Sequence, residues 1–323
     1  MKTALRRLGP YALLVFFLAS AGALFWNRNT MFDWWVLRDY KTPSVIASLS
    51  TDTGMTAYGQ RLFYVNEPTL DDKAVFNSHC GDLNEETAVL GCYRGDRQGI
   101  HIYDVTDERL HGVEQVTAAH EMLHQAYDRL SGGERARIDA LLEDYYVNEL
   151  TDQSIKDKME IYKQLEPGQL ANEMHSIFGT EVATLPAELE TYYQKYFTDR
   201  QKVVAFRNQS KSAFDSYMQQ IADIDAQLVA LKEQIETNKQ KLENDLEVIQ
   251  DKKSDMAQDI AAGRIAEHNA QVETYNELVR EYKQSVESAN QTIHQYNALV
   301  GQRNDIAIQA TELDQALDSR VDE

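Results

Sequence analysis

No proline follows Pro186, and only Gly263 and Gly301 are glycines after Gly179. A stretch this long without helix breakers folds as long helix, because loop-rich domains are punctuated by both residue types. Inside it Phe214, Tyr217, Ile221, Ile224, Leu228, Leu231, Ile235, Asn238 and Leu242 step by three and four. A second series runs Ile265, His268, Val272, Tyr275, Val279, Tyr282, Val286, Ala289, Ile293, Tyr296 and Val300. Both are heptad seams. Folding the chain back at about residue 262, across Ala261-Ala262-Gly263, brings both seams into one register. Ile224 then faces Val300, Leu228 faces Tyr296, Leu231 faces Ile293, Ile235 faces Ala289 and Leu242 faces Tyr282. The spacing predicts an antiparallel coiled-coil hairpin over 201–323, with its turn near 261–264, in preference to a parallel coil between chains. Asn238, Asp245 and Lys252 are polar seam positions that fix register at some cost in stability.

The chain carries a formal charge of −20 over 323 residues. That balance argues against nucleic acid as a partner, since phosphates need Lys/Arg patches. Lys2, Arg6 and Arg7 precede an uncharged apolar run, Leu8–Trp26. The run is at the lower edge of the length that spans a ~30 Å hydrocarbon core. Basic residues before it keep the N-terminus cytoplasmic. Ala19-Ser20-Ala21 also fits signal-peptide cleavage. The apolar run continues past that point, and Trp26, Trp34 and Trp35 suit a membrane interface, which favours an uncut anchor. Residues 1–26 are thus expected to be a transmembrane anchor or signal segment, and 27–39 a juxtamembrane linker. The bulk of the chain would lie outside the cytoplasm, at the cell membrane or secreted. There, Cys80 and Cys92 read as one disulfide closing a short loop, worth about 3 kcal/mol in the chain-entropy model. The alternative is two unpaired core residues.

Between these ends the pattern is that of a small mixed domain, 40–200. Arg61–Val65 is a short apolar stretch. Gly99–Val105 alternates Ile100 and Ile102 against His101 and Tyr103, which is strand periodicity. From Val113 the period turns helical: Val113, Val116, Ala119, Leu123 and Tyr127 share one face. Ser131 and Glu134 form a capping box for a helix over Glu134–Glu149. Further helices are expected over Gln153–Leu165 and Gln169–Phe178. Pro186 is expected to start the very long final element. The predicted fold class is mainly α with a small α+β domain, an N-terminal transmembrane segment and the C-terminal hairpin.

One constellation carries chemistry. His120-Glu121-Met122-Leu123-His124 is H-E-x-x-H. On a helix, positions i and i+4 share a face, so both imidazoles reach one zinc ion, with Glu121 beside them as a base. With a strand about 15 residues before it, this segment resembles the zincin metallopeptidases. The resemblance implies a zincin-like domain in which Gly99–Val105 is an edge strand that pairs with extended substrate. A catalytic zinc needs a third protein ligand. Tyr127 and Leu130 stand where the longer metzincin motif has Gly and His, so that pattern is absent. Asn172-Glu173-Met174-His175-Ser176 is instead similar to the N-E-x-x-S segment of thermolysin-like gluzincins, and Asp128 fits their H-E-x-x-H-x-x-x-D extension. The resemblance implies Glu173 as third ligand, with His175 and Glu181 as rivals. Position 175 lies about 200° round a helix from 173, so both cannot ligate from one regular helix. His175 is then expected to face the cleft and stabilise an oxyanion. Two features depart from the family. The gap between His124 and Glu173 is long, and Ile177 stands where an acid partner is expected.

The sequence therefore predicts a membrane-anchored, extracytoplasmic zinc peptidase. Glu121 and His175 are its catalytic residues, His120, His124 and Glu173 its zinc ligands. Its partners are a peptide or protein substrate, the membrane, and a protein engaging the coiled coil. The alternative is a catalytically silent zincin-like scaffold acting through that coiled coil.

Overall fold

The computed structural model describes Phe17 and residues 28–81, 90–95 and 98–321. The chain divides into two compact units, Met1–Lys211 with Ala316–Glu323, and Ser212–Gln315.

The first unit opens with three helices, α1 (Arg28–Leu37), α2 (Ser44–Asp52) and α3 (Ala57–Tyr64). α1 is held by Asp33, which is 3% exposed and accepts from Arg129 at 2.8 Å. The segment expected to be a juxtamembrane linker is thus a docked helix. The Thr56 hydroxyl caps α3 by accepting from the Gly59 amide. α3 takes in most of the Arg61–Val65 stretch, with Leu62 and Phe63 fully buried.

A three-stranded sheet follows, built from β1 (Thr69–Asp71), β2 (Gly91–Arg94) and β3 (Gly99–Tyr103) in the order β1-β3-β2. β3 is parallel to β1 and antiparallel to β2. α4 (Lys73–Cys80) crosses over after β1, and Cys80 is disulfide-bonded to Cys92 in β2. The strand expected at the edge is therefore the central one. Its side chains Ile100, His101 and Ile102 are all buried, as a strand covered on both faces requires.

α5 (Val113–Asp128) is the hub of this unit. Ala118, Ala119, Met122, Leu123 and Ala126 are at most 1% exposed, and α5 packs on α2, α3, the sheet and the later α8. α6 (Gly132–Asn148) starts where Ser131 accepts from the Glu134 amide, as the capping box requires. α7 (Gln153–Leu165) and α8 (Leu170–Glu181) follow. Gly179 lets α8 cross α5 closely: a Cβ there would lie 2.5 Å from Leu123 Cδ1 and 2.7 Å from Tyr193 Cε1.

Pro186 does not open the long helix. It precedes a short one, α9 (Ala187–Tyr193), after which the chain turns and Phe197 bridges to Met55. Tyr193, Tyr196 and Phe197 bury their rings in the core there, and this apolar anchor breaks the helix without any proline or glycine. α10 (Gln201–Ala261) begins only after it. The end of the chain returns to the first unit, where Asn77 donates to the Ser319 carbonyl.

The second unit holds most of α10 and α11 (Ile265–Leu317), two antiparallel arms joined at Ala262–Arg264. Gly263 sits there at φ +76°, a conformation that costs glycine little. Bonds between the arms join Arg303 to Asp225, Lys241 to Ser285, Gln271 to Asp259, and His268 to the Met256 carbonyl. The midpoints of these pairs fall between residues 262 and 265, close to the pivot read from the heptads. Ile224, Ile249, Met256, Ala289, Ile306 and Leu313 are the buried apolar residues of this unit. Val272 and Ile293 are 36% and 40% exposed, off the seam where the heptad reading placed them. Gln271 and Thr292, one residue earlier, are the partly buried positions instead.

The expectation of a membrane-spanning segment, and the cell-membrane placement built on it, is corrected. No helix among the described residues is long and apolar enough to cross a membrane. Leu8–Trp26, with Ala19-Ser20-Ala21, lies outside the described residues except for Phe17.

Candidate metal centre

α5 and α8 bring His120, His124 and Glu173 together. Each offers one ligand atom, and the three atoms lie within 4.8 Å of one another. The two Nε2 atoms face each other at 3.0 Å. Glu173 reaches them with both oxygens, Oε2 at 3.6 Å from His120 and Oε1 at 3.5 Å from His124. His124 Nδ1 meets Asn172 Oδ1 at 3.0 Å. That oxygen only accepts, so the proton sits on Nδ1 and Nε2 keeps its lone pair. Ser176 supports the same nitrogen at 3.3 Å. Burial pushes the Glu173 carboxyl up, but the positive charge of His124 and His120 when those rings are protonated, with hydrogen bonds from His120 and Tyr162, holds it below the usual carboxylate range.

Lone pairs pointed at one another in a buried site are unfavourable unless a cation sits among them. Glu173 Oε2 is buried and makes no hydrogen bond to the protein. A metal ion satisfies that oxygen and both imidazoles at once, so the residues present fit one. Two histidines and one carboxylate are a donor set that catalytic zinc sites use.

Glu121 is 5% exposed and projects beside the pair toward β2. A Cβ on Gly91 would lie 2.9 Å from Glu121 Oε1 and 2.4 Å from Thr117 Cγ2. Gly91 is thus the space in which the Glu121 carboxylate sits.

His175 stands elsewhere. Its side chain is fully buried, Nε2 lies 2.8 Å from the Tyr192 hydroxyl, and Tyr127, Tyr193 and Tyr196 pack around the ring. Burial holds its pKa down at about 3, so the ring is neutral. The expectation that it faces the cleft is corrected, because the turn of α8 that aims Glu173 at the site aims His175 into the core. Glu181 is taken up by Lys158 at 2.8 Å and Arg207 at 3.5 Å, so it is no rival ligand. Asp128 is exposed, 3.9 Å from Arg135.

Sequence reasoning left Asn172 and Ser176 without a role, although the N-E-x-x-S segment contains both. Their signal is the spacing itself. Asn172 and Ser176 are one turn apart, so both reach the face of α8 that meets His124. Tyr162 carried no signal, since it comes from a separate helix. No family model matches this chain, and no curated protein or solved structure matches it.

Proposed function

We propose that the protein is a zinc-dependent peptidase of the zincin type, resembling the gluzincins in its ligand set. The observation that carries this reading is the convergence of His120, His124 and Glu173 with Glu121 adjacent. Zinc held by those three residues would supply a water of lowered pKa as nucleophile. Glu121 would accept a proton at its carboxylate and return it to the leaving amine. Asn172 and Ser176 hold His124 in the tautomer that ligates. β2 is the outer strand on the Glu121 side, and its outer edge pairs with no other described strand. It takes the place expected for β3, offering backbone groups to an extended peptide.

The test is zinc content. The full chain loses one equivalent of bound zinc when His120 and His124 are both replaced by alanine. An unchanged zinc content would remove the basis of the reading.

Gly91→Ala offers a second check. The added methyl cannot fit without moving the Glu121 carboxylate or Thr117, so peptide cleavage falls by roughly tenfold or more, up to the 10²–10⁴-fold that a general base contributes. Zinc affinity stays at the wild-type level, because no ligand moves. Unchanged kcat in this variant would show that Glu121 does not act from the position described.

A further inference from the structure

Asp71, His79 and His101 form a second cluster, with one ligand atom from each within 4.8 Å of the others. Three elements supply them: Asp71 ends β1, His79 lies in the last turn of α4, and His101 is in β3. The cluster shares no residue with the centre on α5 and α8, so it stands apart from the peptidase reading.

The proton positions are constrained. The Gln98 carbonyl can only accept, and it lies 3.1 Å from His101 Nε2, so Nε2 carries a proton. His101 Nδ1 then faces Asp71 Oδ2 at 2.9 Å, with the Thr69 hydroxyl 2.9 Å from both. Asp71 and His101 are both buried. In the neutral ring Nδ1 and the carboxylate present lone pairs to each other, a contact that needs a second proton or a metal ion between them. Tetrahedral ligand atoms each about 2.1 Å from a zinc ion stand about 3.4 Å apart, so an ion entering here opens the 2.9 Å contact by about half an ångström. His79 stacks on His101 with ring centres 3.9 Å apart and 3° between the planes. Parallel rings cannot both point at one ion, so ligation turns His79 out of the stack, and its exposed position allows this. Two imidazoles and one carboxylate suit a borderline divalent transition ion.

The disulfide bears on the same cluster. Cys80 follows His79, and its partner Cys92 stands opposite His101 in the β2–β3 register. The bond ties the end of α4 to the strand pair that carries His101. We propose that Asp71, His79 and His101 are a second divalent-metal site, of zinc-binding class, and that the Cys80–Cys92 disulfide assembles it.

Zinc titration of the metal-stripped, oxidised full chain tests this at neutral pH. Wild type is expected to bind two equivalents, and His79→Ala and His120→Ala/His124→Ala one each. In the latter variant, reducing the disulfide with a phosphine weakens the remaining site by about tenfold or more, the scale on which lost support lowers metal affinity. His79 is exposed, so its replacement leaves the core untouched. A His79→Ala chain with wild-type stoichiometry and affinities overturns the proposal and leaves Asp71 and His101 as a proton-bridged pair. A wild-type chain that binds one zinc, lost in His120→Ala/His124→Ala, overturns the second site and keeps the peptidase reading. One zinc lost only in His79→Ala does the reverse. Affinity indifferent to reduction overturns the part assigned to the disulfide.

Discussion

Replacing Glu121 by glutamine lowers peptide hydrolysis by about 10²–10⁴-fold while zinc remains bound. Glutamine has the shape of glutamate and still fits the space beside Gly91 and Thr117. It cannot take the proton that the attacking water must lose. The loss corresponds to about 3–5 kcal/mol of barrier, and on the proposed reading it appears in kcat rather than in zinc content, because the residues grouped to hold a metal ion are His120, His124 and Glu173. Single-turnover cleavage of a peptide library, with zinc measured on the same samples, reads both quantities. Wild-type turnover in Glu121→Gln would remove the general base from the mechanism. Joint loss of zinc and turnover would instead make Glu121 part of the metal-holding structure.

Arg200→Met destabilises the first unit by about 3–5 kcal/mol, the scale expected when several buried carbonyls lose a donor at about 1–3 kcal/mol each. Arg200 is 5% exposed. Its guanidinium donates to the carbonyls of Phe178, Val182 and Ala183, which close the C-terminal end of α8, and it pairs with Glu190 on α9. Last-turn carbonyls have no partner within their own helix, so the arginine serves as the cap. Methionine fills similar volume and donates nothing. Denaturant unfolding followed through the buried tyrosines Tyr192, Tyr193 and Tyr196 reads the change. Glu190→Gln costs less, since Glu190 is only partly buried and the three carbonyls keep their donor. Because α8 also carries Glu173, the Arg200 variant should hold zinc more weakly. A cost below about 1 kcal/mol, the level of an exposed pair, would show that α8 ends without needing this cap.

Local features were legible wherever neighbours in sequence are neighbours in space. His120 and His124 share a helix face by periodicity alone. Ser131 and Glu134 announced a helix start, and Gly263 the turn between the arms. Glu173 was reachable through the N-E-x-x-S pattern because Asn172, Glu173 and Ser176 also lie on one stretch of helix. His175 was misread for a related reason. Periodicity shows that it points away from Glu173, but not whether that direction holds solvent or core. The tyrosines that enclose it come from α5, α9 and the turn after α9.

The same distinction separates what the sequence alone determined from what the fold decided. The heptads determined two arms and their pivot, because an antiparallel seam is a one-dimensional match of residues at fixed spacing. The H-E-x-x-H motif placed His120 and His124 on one helix face with Glu121 beside them. The order of the strands, which puts β2 rather than β3 at the edge beside Glu121, was set by pairings across the chain that leave no local period. The break between Pro186 and Gln201 was decided by Tyr193, Tyr196 and Phe197 finding a core to enter. Asp71, His79 and His101 sit on three elements, and only the sheet register and a disulfide between distant cysteines bring them within reach of one ion. Such contacts arise from packing, whose energy depends on what stands opposite each side chain, and that is fixed only when the whole unit has folded.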